Sequence, residues 1–165
     1  MRERRAARES RRAREFEAFV AGAGARLLHT ATLLTGEPSG DTEAAERLLT
    51  TALARTYARW DRLRGEDPYD RTRRELADLF AHRARRYRRP RGGALDRLTP
   101  QERLVLVLRL YEGIAEEQTA AALGLPAERV RAICTRAVTL MRSTARRRTA
   151  PGRPPVTGRP AGAAP

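Results

Sequence analysis

An arginine-rich segment, residues 127–148, lies in the C-terminal third of the chain and carries seven Arg and one acidic residue. Arg donates hydrogen bonds in a planar fork that fits guanine edges and phosphates, so this composition is typical of a surface that contacts nucleic acid. The same segment is also compatible with an ordinary helix that has a solvated basic face. The candidate contact residues are Arg129, Arg131, Thr135, Arg136 and Arg142.

The residues around this segment have the spacing of a helix-turn-helix. Ala120 supplies the small side chain that is needed where two helices cross, and Gly124 follows where the turn requires a positive φ. Val130 and Ile133 fall where the second helix packs on the first. The pattern over 116–136 therefore predicts a DNA-binding helix-turn-helix whose second helix enters a major groove.

Position along that second helix divides its arginines into two predicted roles. Arg129 and Arg131 lie near its start, where side chains reach base edges in a major groove. Arg136 and Arg142 lie farther along and are expected to hold the phosphate backbone.

Whole-chain composition agrees with a polyanionic partner. The 165 residues carry a formal net charge of +14, and all 34 basic residues are Arg. Such a surplus favours DNA, RNA or an anionic membrane face, and the absence of a run of ~18 apolar residues argues against membrane insertion. One Cys, two separated His and the absence of a Gly-rich phosphate loop exclude the usual enzyme sites. No metal and no cofactor are therefore predicted.

The hydrophobic pattern is helical throughout. Apolar residues recur at steps of three and four, and no period-two strand is visible, which predicts an all-α fold of two small helical bundles. The first helix is expected over 16–34, and Asp41 or Thr42 can cap the second. Thr99 precedes Pro and a first-turn Glu, the signature of another helix start, and Leu104 to Leu110 predicts a helix that is buried on all sides.

Charge runs and breaks divide the chain into five predicted parts. They are a basic N-terminal arm (1–15), a helical domain (16–90), a linker (91–97), a helix-turn-helix domain (98–145) and a disordered basic tail rich in Pro, Gly and Ala (146–165). The arm is either disordered or a frayed extension of the first helix.

A basic strip at 71–91 holds nine Arg against two acidic residues. Phosphate contact is the favoured interpretation, although such a strip can also be a solvated face. Tyr69 and Tyr87 beside it could stack on single-stranded bases or be solvated residues at helix ends. Cys134 is interpreted as a half-buried structural thiol, with a redox sensor as the weaker alternative.

Two parts of the sequence resemble one protein family. The segment Leu98–Ile114, LTPQERLVLVLRLYEGI, with Thr119-Ala120, Leu123-Gly124, Val130 and Arg136-Ala137, resembles region 4 of bacterial sigma-70-family factors, in particular the small extracytoplasmic-function group of actinobacterial type. Leu33-Leu34-Thr35-Gly36, Ala45-Glu46, Leu48, Leu53, Trp60, Asp67-Pro68 and Arg73-Arg74 resemble region 2 of the same group. The resemblance covers roughly residues 16–142.

The resemblance implies a sigma factor that binds core RNA polymerase and promoter DNA. Region 4 would read the −35 element and region 2 would engage the −10 element. The implied region 2 DNA contacts are Arg73, Arg74, Asp78, Arg85 and Arg86, and the implied polymerase contacts are Glu46, Arg47, Leu49 and Thr50. An anti-sigma factor is a further candidate partner. The expected location is the cytoplasm, in association with the nucleoid.

Region 2 departs from the family pattern at its polymerase-binding helix. Arg47 occupies a position that is usually acidic, and Thr50-Thr51 replaces a Gln-Glu pair. A second hypothesis is therefore a degenerate sigma-like DNA-binding regulator or interaction protein that no longer initiates transcription. Binding to core polymerase through the 46–51 segment distinguishes the two.

Overall fold

A computed structural model describes residues 1–63 and 65–149, with side chains up to residue 146. Its α-helices are α1 (Arg2–Thr35), α2 (Glu43–Ala58), α3 (Pro68–His82), α4 (Pro100–Leu106), α5 (Glu116–Leu123) and α6 (Ala127–Thr149). Short 3₁₀ turns at Trp60–Arg62 and Ala84–Tyr87 follow α2 and α3, and a π-helical turn at Val107–Tyr111 continues α4. The described residues contain no strand, which confirms the all-α prediction.

Helix α1 includes the predicted N-terminal arm. It runs without a break from Arg2 and ends at Gly36, whose φ of 75° suits a glycine cap. Phe16 and Phe19 lie 5.1 and 5.5 Å from the Trp60 ring, between ring centroids. The arm is thus a helical extension, which was one of the two alternatives.

The N-terminus of α2 is capped from a distance, and the predicted local cap is wrong. The Thr42 hydroxyl donates to Glu46 and makes no hydrogen bond to the backbone amides of the helix. The buried Glu37 carboxylate instead accepts from the amides of Ala44 and Ala45 at 2.9 and 2.8 Å. A carboxylate at this position satisfies orphan donors and complements the helix dipole.

Helix α3 packs its apolar face into the core as predicted. Leu76, Leu79 and Phe80 are buried. Tyr87 stacks on Phe80, with ring centroids 5.1 Å apart, and is itself buried. Both interpretations of Tyr87, base stacking and solvation, are therefore wrong, because the 3₁₀ turn folds the ring back onto α3.

The segment predicted as a linker is held against the end of α1. The Gly93 amide donates to the Gly36 carbonyl at 3.0 Å. A Cβ on Gly93 would overlap the carbonyl oxygen of Glu37, so this approach requires glycine. Leu95 and Leu98 are buried in a hydrophobic cluster that extends from Leu27 to Ala137. The domain boundaries remain predictions.

The C-terminal helices begin at a complete capping box. Thr99 and Glu102 exchange hydrogen bonds with each other's backbone, as the sequence predicted. Leu104 to Leu108 are buried, but Leu110 is 61% exposed, so burial on all sides is wrong. The π turn adds a residue there and turns Leu110 out of the core.

Helix α6 is longer than predicted and continues to Thr149. The first residues of the predicted disordered tail, 146–149, therefore belong to a helix. The rest of that tail, 150–165, lies outside the described residues. In the part of the chain that is described, no helix is long and apolar enough to cross a membrane.

Candidate nucleic-acid interface

Helices α5 and α6 form the predicted helix-turn-helix. Gly124 ends α5 with a φ of 63°, and the Leu125 amide donates to the Ala120 carbonyl at 3.0 Å. Val130 is fully buried and forms a small apolar cluster with Ala120 and Val105 of α4. This packing fixes the direction in which α6 leaves the turn, and it confirms the spacing argument made from the sequence.

The solvent-facing side of α6 carries all five predicted contact residues. Arg129, Thr135 and Arg142 are exposed, and the latter two lie seven positions apart, on one line along the helix. Within the described residues, neither Arg129 nor Arg142 forms an ion pair. Their guanidinium groups are available to an external anion.

Arg131 and Arg136 are exposed but already have acidic partners. The Arg131 guanidinium lies 2.7 Å from the Glu116 carboxylate of α5, and this hydrogen bond raises the pKa of Arg131. Arg136 Nε lies 3.1 Å from Glu102 at the start of α4. The two guanidinium groups are 67% and 75% exposed, whereas their carboxylate partners are 14% and 9% exposed, so a phosphate must compete with these carboxylates. No pattern in the sequence indicated these ion pairs.

The five predicted region 2 contacts differ in exposure and in their ion-pair partners. Arg73 is only 14% exposed and lies 2.8 Å from Asp70. Arg74 is exposed and lies 3.4 Å from Glu66, while Asp78 is exposed on the same helix. The remaining two, Arg85 and Arg86, are exposed in the 3₁₀ turn after α3.

A cavity of about 310 Å³ separates α3 from α5. Its α3 wall includes Arg73, Arg74 and Asp78, and its α5 wall includes Gln118 and Ala122. The structure thus brings three of the five predicted region 2 contacts together, but they face the helix-turn-helix. Arg86 lines a different groove, against α2.

The predicted polymerase contacts lie along α2. Glu46, Arg47 and Thr50 are exposed and line an open groove of about 650 Å³. Arg47 forms an ion pair with Glu43, one turn earlier. Leu49 is 8% exposed and packs in the core, so its side chain lies beneath this surface and not on it.

Sequence reasoning missed a polar cluster around Glu112, which follows the π turn. Its carboxylate is fully buried and accepts a hydrogen bond of 2.5 Å from the Thr30 hydroxyl. The Tyr69 hydroxyl lies 2.9 and 3.0 Å from its two oxygens, and guanidinium nitrogens of Arg26 and Arg73 lie 3.6 and 4.0 Å away. No spacing rule connects residues so far apart in the chain.

The Glu112 cluster also changes the titration of Tyr69. Burial, then the hydrogen bond to Glu112, raises the pKa of Tyr69 to about 12. Neither base stacking nor free solvation describes this side chain, so the two interpretations of Tyr69 are wrong as well.

The thiol of Cys134 has little reactivity. Cys134 is half-buried, and burial raises the pKa of its thiol, which keeps it protonated and unreactive. This agrees with the structural interpretation of Cys134. Among the described residues there is no cluster of three side chains that could hold a metal ion.

Comparisons with known proteins assign this geometry to a family. Residues 94–143 match the family model "Sigma-70, region 4". The RNA polymerase sigma-E factor of Streptomyces avermitilis is 34% identical over 153 residues, which cover 78% of this chain and 83% of that protein. The chain belongs to the sigma-70 family of RNA polymerase sigma factors. The sigma-E factor of Streptomyces coelicolor is 32% identical over 161 residues, covering 78% of this chain and 84% of that protein.

A solved structure agrees over most of the sigma factor chain. It is the structure of CnrH in complex with the cytosolic domain of CnrY, with a TM-score of 0.54 and 25% identity. The match covers 82% of this chain and 90% of the other. These relatives agree with the resemblance to the extracytoplasmic-function group, confirm a non-enzymatic transcription initiation factor and give no support to the degenerate alternative. The roles of individual residues stay predictions.

Proposed function

We propose that this sigma factor directs core RNA polymerase to promoters by reading the −35 element with α6. The observation that carries the proposal is the exposed arginine face of α6, held on a complete helix-turn-helix. Arg129 and Arg131 contact base edges, and Thr135, one turn beyond Arg131, adds a further contact. Arg136 and Arg142 hold the phosphate backbone.

The −10 element is engaged by α3 and the turn that follows it. Arg73, Arg74, Asp78, Arg85 and Arg86 contribute to this contact, supported by the net positive charge of the strip in which they lie. The two bundles, 16–90 and 98–145, act as separate domains joined by the 91–97 linker. The division into two bundles gives each promoter element its own contact surface.

Core polymerase binds the open groove along α2. Glu46, Arg47 and Thr50 are exposed there, and Leu49 supports the helix from the core side. The packing of the helix is intact, since Ala45 and Leu48 are buried beside Leu49. This packing holds the exposed side chains of the groove in a fixed arrangement, which supports a docking role.

A second protein partner and a cellular location complete the proposal. An anti-sigma factor binds this chain, which the complex of CnrH with the cytosolic domain of CnrY supports. The sigma factor acts in the cytoplasm, on the nucleoid, where its polyanionic partner is found. Its net charge of +14 supports that location.

Run-off transcription with core polymerase tests the function, and Arg47→Asp tests the polymerase contact. We expect the native chain to co-elute with core polymerase and to start transcription at a promoter. Arg47→Asp should strengthen both, because it places an acid where sigma factors of this group usually have one. The matched control is Arg8→Asp, the same change of charge on exposed residues of α1.

Two results would contradict the proposal. If the native chain neither co-elutes with core polymerase nor gains from Arg47→Asp, it has lost the sigma function. If Arg8→Asp gives the same gain as Arg47→Asp, the effect belongs to net charge and not to the α2 groove.

A further inference from the structure

Three arginines converge on one buried carboxylate between α2 and α3. The side chain of Glu75, on α3, is 7% exposed. Its Oε1 lies 2.7 Å from a guanidinium nitrogen of Arg71 and 3.0 Å from one of Arg59, and its Oε2 lies 3.4 Å from one of Arg55. Among the described residues these three arginines have no other acidic partner. Three positive charges against one negative charge leave a local charge of +2.

The cluster has a buried base and an exposed rim. Arg71 is 21% exposed, and within the described residues its Nε is buried without a hydrogen-bond partner. Arg55 and Arg59, at the C-terminal end of α2, are 52% and 56% exposed. Glu75 supplies two oxygens, whereas each guanidinium has five N–H donors. The rim therefore presents unused donors to solvent, at positions that the buried carboxylate fixes.

The excess of arginine exceeds what a structural ion pair requires. One guanidinium is enough to neutralise the charge of a buried glutamate. Two further guanidiniums repel the first and each other, and such like-charge contacts cost free energy. An anion from outside the chain would offset this repulsion. Guanidinium groups held side by side suit a phosphate in particular, because they donate to its oxygens in a bidentate geometry.

Arg74 links the cluster to the face of α3 that is proposed to contact DNA. Arg71 and Arg74 lie three positions apart and are therefore neighbours on the helix surface. Arg74 is 51% exposed. Neither Arg55 nor Arg59 lines the α2 groove or the cavity between α3 and α5. A strand that contacts Arg74 thus meets the cluster beside it, away from the surface proposed for polymerase.

We propose that Glu75 is a positioning residue that holds Arg55 and Arg59 ready for one backbone phosphate of the promoter strand at the −10 element. The inference rests on the function proposed for α3, and it adds a contact on α2, where none of the predicted DNA contacts lies. A phosphodiester carries one negative charge, so its binding lowers the charge of the cluster without displacing Glu75. The contact positions the strand and reads no base, since a phosphate carries no sequence information.

Neutral phosphate analogues test the contact in the holoenzyme. Promoters that each carry one methylphosphonate in the −10 region are compared between the wild type and the variant Arg55→Ala with Arg59→Ala. For the wild type, we expect one position to weaken promoter binding about tenfold, because charge-assisted hydrogen bonds are lost. The double variant should bind the unmodified promoter about tenfold less tightly and be insensitive at that position. Its co-elution with core polymerase should be unchanged.

The matched control is Arg5→Ala with Arg11→Ala, which removes two exposed arginines of α1 that are also paired with glutamates. It should keep the wild-type response to every methylphosphonate. The proposal is wrong if the Arg55/Arg59 variant and the wild type respond alike at every position, or if the control loses the same response. Loss of co-elution by the Arg55/Arg59 variant would assign the cluster to polymerase and overturn the phosphate contact.

A wild-type chain that never transcribes with core polymerase would contradict the function proposed above, and a measurement without polymerase then decides the cluster. The full chain, with Arg129→Ala and Arg142→Ala to weaken binding by α6, is titrated with a single-stranded oligodeoxynucleotide at several salt concentrations. Adding Arg55→Ala with Arg59→Ala should reduce the slope of log K against log salt by about 0.7 unit, as expected for one phosphate on a single strand. An unchanged slope would overturn the contact.

Glu75→Gln separates positioning from simple charge balance. The change removes a negative charge and keeps the size of the side chain, so oligonucleotide binding should strengthen if Glu75 only balances charge. If Glu75 positions Arg55 and Arg59, binding in the same background weakens by about threefold or more, although the cluster becomes more positive. Binding that strengthens or stays unchanged would overturn the positioning role. Circular dichroism follows the fold, and the Arg55/Arg59 variant decides the phosphate contact even where Glu75→Gln fails to fold.

Discussion

The faces of α6 and α3 are both arginine-rich, but their arginines differ in exposure and in ion pairing. On α6, Arg129 and Arg142 are exposed and form no ion pair within the described residues. On α3, Arg73 is 14% exposed and lies between Asp70 and Glu112, opposite another helix. Positive charge alone therefore does not define an interface, because a guanidinium that is enclosed between acidic partners, as Arg73 is, must lose one of them before it meets a phosphate.

The largest expected effect comes from breaking the support of the α6 face. Val130→Asp places an unpaired carboxylate in the apolar cluster beneath the turn, where it has no partner. We expect the loss of roughly 3 to 5 kcal/mol of local stability and with it nearly all duplex binding. Fluorescence anisotropy with a −35 duplex measures the loss.

The control for this change is the conservative variant Val130→Ile, which keeps the cluster apolar. Chain folding is followed by circular dichroism. Duplex binding by Val130→Asp at wild-type affinity would mean that the face of α6 does not depend on this packing.

A smaller effect separates base reading from backbone contact on α6. Arg129→Ala should cost about 1 to 3 kcal/mol on the preferred duplex and reduce discrimination against random sequence. Arg142→Ala should weaken both duplexes to the same extent, because a phosphate contact carries no sequence information. Competition titrations with specific and random duplexes give both numbers. Equal losses for Arg129→Ala on the two duplexes would show that this residue does not read bases.

Salt dependence compares the two faces directly. Each phosphate neutralised by Arg releases counterions, so log K for duplex binding should fall with log salt at a slope of a few units between ~50 and ~200 mM. Arg142→Ala should reduce that slope by about one unit, whereas Arg73→Ala should leave it unchanged in the free protein. A flat titration of the wild type would contradict DNA binding by α6. An equal change for the two variants would contradict the difference in accessibility.

The smallest expected effect is the titration of Tyr69, which lies on α3, the helix whose arginine face is opposite α5. Because the pKa of Tyr69 is raised from 10.0 to about 12, the neutral phenol is favoured in the folded protein. Its stabilising contribution is complete below pH 10 and is lost as the pH rises from about 10 to about 12. Tyrosinate absorbance should show a late component that is missing in Tyr69→Phe. A late component that persists in this variant would assign it to another tyrosine.

The difference between the two faces also explains which features of the site could be predicted from the sequence. The helix-turn-helix was predictable because its determinants are local: Ala120, Gly124 and Val130 lie within a few turns of one another, and each has a steric reason for its position. The exposed positions on α6 followed from the helical period. The acidic partners of Arg131 and Arg136 did not, since Glu116 and Glu102 belong to other helices.

Non-local contacts account for three of the incorrect predictions. Glu37 caps α2 from the start of the preceding loop, Tyr87 folds back onto Phe80, and Tyr69 meets a carboxylate 43 residues away. In each case the side chain has an ordinary local alternative in solvent. Burial in the assembled core removes that alternative, and no local pattern signals it.

The sequence by itself determined the helical class, the position of the turn, the arginine face of α6 and the family resemblance, because short-range periodicity, turn sterics and charge depend on neighbours in the chain. Only the tertiary structure decided which arginines are accessible. The Glu112 carboxylate is fully buried and has its polar partners only where α1, α3 and the C-terminal bundle meet around it. Desolvation depends on the whole assembly, so the covered state of α3 is a property of the fold and not of any segment.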